Sequence, residues 1–317
     1  MFEQSTRRKL LPLSAATKGV SNPLVWEVPK TGLLAGIWLS ITGTVSGSLS
    51  APNALGMASI VRAVKLVVNS GIDLINITGP MYHYLLRDYI DDYRDPVPAA
   101  TARNAVTATT FDVSMYLPVA LNARDPIGLI MLQNEQTQLT LSVEFEADSV
   151  VATGATVVAT VSPMLELFTV PVNPADWPPL NTVHQIIGDS RVISGAGEYS
   201  YRWPRGNTYV QVLHGLGIGA SPADSWSSAK VQLNQSDVVM GPVTPALIGL
   251  EYTRTHGTAR RLGMVPFDLA GSSGLGVFGS ARDLLYSQVV TELESLITAT
   301  GAATLHTVRR QLVQLPG

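Results

Sequence analysis

The sequence predicts an all-β protein made of two sandwich domains in tandem, and three observations support this. Short runs of Val, Ile, Thr and Leu are separated by turn residues, and the chain holds 27 glycines and 20 prolines. Such spacing is typical of sandwiches and barrels. An approximate internal repeat relates the two halves. With 317 residues, the chain is long enough for two domains that each bury a core.

A β-hairpin is predicted where two apolar runs flank a short turn. Val64–Val68 and Ile72–Ile77 lie on either side of Asn69-Ser70-Gly71, and the glycine suits a tight hairpin turn. The same residue types predict further strands at Thr107–Leu117, Gln138–Glu146, Thr156–Val161, Met164–Val170, Thr208–Leu213, Lys230–Leu233, Asp237–Met240 and Thr304–Leu315.

Helices are expected to be few and to lie in loops. Pro80–Asp92 begins with proline and keeps aromatic and apolar residues at helical spacing. Pro245–Arg254 is a second candidate, and Pro126–Gln133 a third. Asp283–Leu296 is a fourth, because apolar residues recur along it at nearly every fourth position.

Three short phrases recur in the same order in both halves of the chain. Gly-Pro recurs at an offset of 162 residues, from Gly79 to Gly241, and Phe-Asp at 156, from Phe111 to Phe267. Ala-Arg-Asp recurs at 158, from Ala123. In both halves the Gly-Pro pair closes a hairpin and precedes a predicted helix. The near-constant spacing favours one domain used twice, and the alternative is a coincidence between two β-rich halves.

A proline-rich stretch predicts the boundary between the domains. Four prolines lie in the segment 171–179, where they hold the chain extended and keep it out of either sheet. The predicted organisation is an N-terminal arm at 1–24, a first domain at 25–171, a linker at 172–181 and a second domain at 182–317.

The composition indicates a chain that hides much of its surface against other chains. Charged residues make up 14% of it, apolar residues 46%, and the mean hydropathy is +0.22; a typical soluble protein has about 25% charged residues. The best candidate for a membrane span, Leu33–Val45, is too short and contains hydroxyl side chains. The net charge of −3 provides no global attraction for nucleic acid. Large protein–protein interfaces remain as the explanation.

The N-terminus carries a short basic cluster, Arg7, Arg8 and Lys9, followed by Leu10-Leu11-Pro12-Leu13. The order imitates a signal peptide, but Pro12 breaks an apolar run that is already too short. The preferred interpretation is a mobile basic arm.

No catalytic, metal or cofactor site is predicted. The chain has no cysteine and its five histidines are scattered, so neither thiolate chemistry nor a local histidine metal pair is expected. The aspartates of 88–95 fit a solvated helix end better than a calcium loop. Gly274–Gly279 matches the dinucleotide-binding pattern, but no further βαβ units follow it. The tyrosines and tryptophan of 199–209 are interpreted as packing anchors.

The order of elements resembles the double jelly-roll lineage of viral major capsid proteins, found in tectivirus-like and corticovirus-like phages and in adenovirus. The resemblance covers roughly residues 25–317. Thr107–Val119 is similar to the strand that leads into the helix-bearing loop of the first jelly roll. Gln138–Phe145 is similar to the strand after that loop, and Met164–Pro171 to the last strand before the linker. The short chain implies small towers or none on the outer surface.

The resemblance implies a function as well as a fold. The fold would be two tandem eight-stranded jelly rolls with a few short helices in loops. The chain would be a non-enzymatic, cofactor-free capsid protein of a virion, assembled in the host cytoplasm. It would form a homotrimer that contacts neighbouring capsomers and other virion proteins, such as vertex and membrane proteins, and would not bind specific nucleic-acid sequences. An internal membrane would lie beneath, contacted by Arg7, Arg8 and Lys9.

Two other functions remain open at this point. A carbohydrate-binding or glycan-processing protein could use two jelly rolls, with aromatics and carboxylates meeting in one concave patch. A phage fibre or tail component would form elongated particles instead of closed shells.

Overall fold

The fold is described from a computed structural model, which covers residues 6–19, 22–50, 56–69, 71–79, 110–121, 127–173, 177, 180–218, 223–235, 237–256, 259–269 and 285–314. These residues form two compact units. The first holds the described residues up to Ile187 together with Gln314, and the second runs from Gly188 to Val313.

One sheet of the first unit is built around two long antiparallel strands. β4 and β11 pair along almost their whole length, from Leu33–Phe168 to Ser50–Thr153. On the outer side of β11 lie β1 and β2, and on the outer side of β4 lie β7, β8 and β9. The bounds are β1 Arg8–Pro12, β2 Ala16–Thr17, β4 Leu33–Ser50, β7 Thr110–Asp112, β8 Met115–Pro118, β9 Ile130–Met131 and β11 Thr153–Phe168.

The other sheet of the first unit has the order β3–β10–β5–β6. Its strands are β3 Leu24–Glu27, β5 Val61–Val68, β6 Ile72–Thr78 and β10 Leu139–Phe145, and these four are antiparallel to one another along the order. Every second residue of β10 is buried, from Leu139 to Phe145. This alternation places one face of the sheet on the core and the other towards solvent.

The second unit repeats both strand orders. Its strands are β12 Thr182–Ile193, β13 Gly197–Arg202, β14 Thr208–Leu216, β15 Trp226–Leu233, β16 Asp237–Val243, β17 Met264–Asp268, β18 Leu285–Tyr286, β19 Leu293–Ala299 and β20 Ala303–Gln314. β12–β20–β14 with β17 and β18 matches β1–β11–β4 with β7 to β9, and β13–β19–β15–β16 matches β3–β10–β5–β6. The predicted repeat of one domain is therefore confirmed. Phe111 and Phe267 lie on matching strands, β7 and β17, but the Gly-Pro phrases are not equivalent, because Gly79 follows β6 whereas Gly241 lies within β16.

Both sheets of the second unit contribute to one core. Tyr209 of β14 and Phe267 of β17 come from one sheet, and Trp226 of β15 and Ile297 of β19 from the other. All four side chains are almost completely buried. Burial of apolar surface on this scale is the main stabilising contribution to such a sandwich.

The clearest sequence predictions are confirmed. β5 and β6 form the predicted hairpin, with Asn69 in the left-handed region at φ 50°. The helix predicted from Pro245 is α1, Pro245–His256, and the Thr244 carbonyl accepts a hydrogen bond from Ile248 N at 3.0 Å. The strands predicted at 138–146, 208–213, 230–233, 237–240 and 304–315 correspond to β10, β14, β15, β16 and β20.

The predicted separation of 156–161 from 164–170 is wrong, because β11 runs unbroken through Pro163. The Pro163 carbonyl accepts a hydrogen bond from Leu13 N at 2.9 Å, so the nitrogen of Pro163 points to the same side, away from β4. On that side the neighbouring strand is interrupted between Pro12 and Ala16. The missing N–H therefore removes no ladder bond to β4.

Two predicted helices are wrong. Residues 127–133 of the third candidate form a turn and the short strand β9. In the fourth, the described residues from Leu285 form β18, a single 3-10 turn and the start of β19. Leu293, Ser295 and Ile297 are buried in β19, so a strand period was hidden beneath an apparent helical one.

One further predicted strand is divided in the structure, and four predicted features lie in segments that the structure does not describe. The predicted strand 107–117 is described from Thr110 onwards as two short strands, β7 and β8, separated where Asp112 Oδ1 accepts a hydrogen bond from Ser114 N at 2.8 Å. The candidate helix Pro80–Asp92, the aspartates of 88–95, the tripeptide Ala123–Asp125 and the glycine motif 274–279 lie outside the described residues.

Candidate functional site

The basic N-terminal cluster is part of a sheet, which corrects the expectation of a free arm from residue 8 onwards. Arg8 and Lys9 belong to β1 and pair with Phe168 and Leu167 of β11. Arg7 extends the pairing, since its backbone nitrogen donates to Thr169 Oγ1 at 2.9 Å. A strand forms here because β11 would otherwise leave an open edge.

The three basic side chains are all exposed, but their charges are not equivalent. Arg8 forms an ion pair with Glu166, whose side chain is 10% exposed. The other Glu166 oxygen accepts a hydrogen bond from Trp38 Nε1 at 3.3 Å. Arg8 is therefore neutralised and held in place, whereas no ion pair joins Arg7 or Lys9 to another of the described residues.

Beside this ion pair, the outer face of the sheet carries an aromatic pair. Trp38 and Tyr116 are 4.6 Å apart between ring centroids, and Trp38 is 38% exposed. The Tyr116 ring lies over Gly36, where an added Cβ would come within 2.1 Å of the tyrosine oxygen. Aromatic and arginine side chains on one exposed sheet face are typical of protein interfaces.

A second exposed apolar region lies in the second unit, on β16 and near it. Val238 and Val239 of β16 are 49% and 44% exposed. Leu247 and Leu250 of α1 and Leu262 are also more than half exposed. Within the described parts of the chain, β16 pairs only with β15 and so has one open edge.

The tyrosines and tryptophan of 199–209 pack in or against the core of the second unit. Trp203 and Tyr209 are buried and in edge contact at 4.8 Å between centroids. Tyr199 and Tyr201 pack against the same cluster. Burial raises the pKa of Tyr209 to about 12. The interpretation as packing anchors is confirmed for Trp203 and Tyr209, whose side chains are buried in this core.

His214 is completely buried, and both of its ring nitrogens lie within hydrogen-bond distance of hydroxyl groups. Nδ1 lies 2.9 Å from Thr307 Oγ1, and Nε2 lies 2.9 Å from Ser295 Oγ. Ser295 Oγ also accepts a hydrogen bond from Trp203 Nε1 at 2.8 Å. Its complete burial, with the charge of Arg309 nearby, lowers the pKa of His214 to about 3. The site is a satisfied core network without access for a substrate.

The part of the chain that the structure covers shows neither a metal-binding cluster nor a membrane-spanning helix. No three His, Asp or Glu side chains there are grouped so that they could hold a metal ion. Among the same residues, no helix has the length and apolar character needed to cross a membrane.

Comparison with solved structures identifies the fold. The STIV MCP matches with a TM-score of 0.73 at 13% identity, over 97% of both chains. The major capsid protein P2 from bacteriophage PM2 matches with a TM-score of 0.61 at 10% identity, over 98% of both chains. PBCV-1 VP54 matches with a TM-score of 0.67 at 9% identity, over 98% of this chain and 95% of that one.

The chain therefore has the double jelly-roll fold of these viral major capsid proteins, as the order of its elements predicted. The likeness extends over nearly the whole length of each partner, so it includes both units and is not limited to a single shared domain. No family model matches the sequence, and no curated protein matches it.

Two features of the candidate surfaces were missed in the sequence. The pairing of Arg8 with Glu166 joins residues far apart in the chain, and no local pattern marks it. The open edge of β16 depends on which strands lie beside it. The run Val238-Val239-Met240 was a usable signal, since an uncharged apolar strand is unusual on an exposed edge.

Proposed function

We propose that this chain is a structural major capsid protein that forms trimeric, pseudo-hexagonal capsomers of an icosahedral shell. The observation that carries the proposal is the repetition of one strand order in two units. A trimer of such a chain presents six similar domains, which lets a threefold object fill a nearly sixfold lattice position. The match to major capsid proteins over the full length of both chains supports it.

The surface of the chain supports assembly and not catalysis. Only 14% of the residues are charged, and large apolar side chains are exposed on both units, among them Leu10, Trp38, Val158, Val238 and Leu250. Exposed apolar surface of this kind typically marks protein–protein contact. The chain is proposed to be non-enzymatic and to bind other copies of itself.

The finer parts of the proposal concern domains, membrane and compartment. The two domains are proposed to be joined by the linker 172–181, where Trp177 Nε1 donates to the Pro171 carbonyl at 3.0 Å. The first is proposed to hold 25–171 together with β1 and β2, and the second 182–317. Arg7 and Lys9 are proposed to contact anionic lipid of an internal membrane. Vertex and membrane proteins of the virion are the other proposed partners, with assembly in the host cytoplasm.

The test is the mass of the purified protein by light scattering, followed by negative-stain imaging of the same sample. The expected result is a trimer of about 101 kDa, three times the 33.8 kDa chain, seen as hexagonal tiles or closed shells. A chain that stays at 33.8 kDa at every concentration would contradict the proposal. Elongated particles would instead indicate a fibre or tail component.

A further inference from the structure

Two topologically equivalent strands differ in what lies on their outer edge. β6 and β16 both occupy the last place in the repeated strand order and are both seven residues long. Their hairpins close in the same way, at Val68–Ile72 and at Leu233–Asp237. Because the two strands have the same place and length, a difference at their outer edges comes from the segment that lies beside each strand and not from the fold of the domain.

The outer edge of β6 is covered by a parallel strand. Ile186 and Ile187 of β12 pair with Ile75 and Asn76 of β6. Gln185 Nε2 adds a hydrogen bond to the Asp73 carbonyl at 2.9 Å. The covering residues are the N-terminal part of β12, which is the strand that opens the second repeat.

The outer edge of β16 has no such cover among the residues that the structure describes. Counted from the hairpin, the residues equivalent to Ile75 and Asn76 are Met240 and Gly241. After Asp237 the strand carries no charge, and Val238 and Val239 are exposed. An open, apolar edge without charged side chains invites pairing with another chain.

The repeat also indicates which segment fits this edge. β12 lies beside β20 as β1 lies beside β11, so β1 is the counterpart of β12 in the first repeat. In β12, the residues that cover β6 belong to its N-terminal part, Thr182–Ile187. The counterpart of that part is the segment that ends at Arg7, immediately before β1.

We propose that β16 binds the segment preceding β1 of a second copy of this chain, as a parallel strand, in the way that β12 covers β6. The inference rests on the proposed function and names the contact between copies. Main-chain hydrogen bonds provide the affinity in such strand addition, and flanking side chains provide the specificity. The contact is head to tail, and such a contact forms a closed ring where the rotation between copies closes, as the proposed trimer requires.

Site-specific crosslinking tests the contact directly, because the native chain has no cysteine. One protein carries Thr6→Cys, and two others carry Val238→Cys or Val239→Cys, whose side chains point to opposite faces of the strand. A short bismaleimide is expected to link the Thr6→Cys protein to one of the β16 variants in a mixture. The matched control mixes Thr6→Cys with Val158→Cys, a similarly exposed valine on a strand paired on both sides.

Two outcomes of the crosslinking would overturn the inference. One is that the β16 variants crosslink to themselves and not to Thr6→Cys, which would mean that two β16 edges pair with each other. The other is that no mixture exceeds the Val158→Cys control while light scattering still shows a trimer. In that case the proposed function stands and the assigned contact is wrong.

A charge on the open edge provides a second measurement. Val239→Lys is expected to raise the dissociation constant for self-association at least about tenfold, and to leave unchanged the melting temperature measured at concentrations where the chain is dissociated. Val158→Lys should leave the constant within about threefold, and equal losses in both variants would contradict the edge assignment. A wild-type chain that never associates would contradict the proposed function, and this inference with it.

Discussion

At the residue scale, the feature with the clearest physical consequence is a histidine that the fold keeps neutral. His214 is fully buried, and both of its ring nitrogens are within hydrogen-bond distance of hydroxyl groups. Charging the ring would require desolvating an imidazolium beside Arg309. Hydroxyls can donate or accept, so the network satisfies the neutral ring in either tautomer.

Stability is therefore expected to fall in acid through this one side chain. In the unfolded chain, His214 binds a proton below its ordinary pKa of 6.5. In the folded chain, the same ring stays neutral until the pH falls to its lowered pKa of about 3. The free energy of unfolding should decrease by about 1.4 kcal/mol per pH unit over this window. Urea unfolding of wild type and His214→Gln at several pH values measures it. The difference between their slopes isolates the histidine from titrating carboxylates, and identical slopes would contradict the assignment.

At the scale of elements, the long β4–β11 pair is permitted by a glycine that no other residue can replace. A Cβ on Gly43 would lie 1.9 Å from the Val158 carbonyl oxygen and 2.9 Å from the Phe111 ring. Both neighbours are fixed, since Val158 belongs to β11 and Phe111 to β7. The close approach of three strands therefore depends on the absence of a side chain here.

The substitution Gly43→Ala is expected to destabilise the protein by about 2 kcal/mol or more, as overpacking between fixed strands does. Gly195→Ala is the matched control, because a Cβ there meets nothing within 4 Å. Chemical denaturation of the two variants beside wild type gives the comparison. Equal stabilities of the two variants would show that the strands can separate locally at little cost.

At the scale of the whole molecule, the distribution of charge determines how the chain would approach a membrane. Arg7 and Lys9 are exposed, whereas Arg8 is paired with Glu166. Each free basic residue near an anionic surface contributes about 1 kcal/mol. The double variant Arg7→Gln/Lys9→Gln is expected to weaken binding to phosphatidylserine vesicles by about 30-fold. Arg8→Gln should have a smaller effect, because its charge is already compensated.

Vesicle cosedimentation at low salt measures these differences. The matched control is Arg191→Gln/Arg205→Gln, which removes two exposed charges from the second unit. If both double variants lose binding equally, the attraction is a general property of the surface and not of the N-terminal cluster. Binding of wild type that does not respond to salt would contradict an electrostatic contact altogether.

The sequence by itself determined what depends on neighbours along the chain. Residue types and turn signals located the hairpin at Asn69, the helix from Pro245 and most of the strands. The spacing of Gly79 and Gly241, with the other repeated phrases, indicated one domain used twice, because a duplicated fold keeps its loops in the same order. The scarcity of charge indicated wide interfaces.

The tertiary structure decided whatever depends on residues that are distant in sequence. Pro163 predicts the end of a strand, but β11 continues through it because the neighbouring strand is interrupted at this point. The pattern of Asp283–Leu296 predicts a helix, but pairing of β19 with β13 and β15 makes its last part a strand. The basic cluster predicts a free arm, but Arg8 and Lys9 pair with the edge of β11. In each case, contact with a strand that is distant in sequence determines the local structure, and no local pattern encodes that contact.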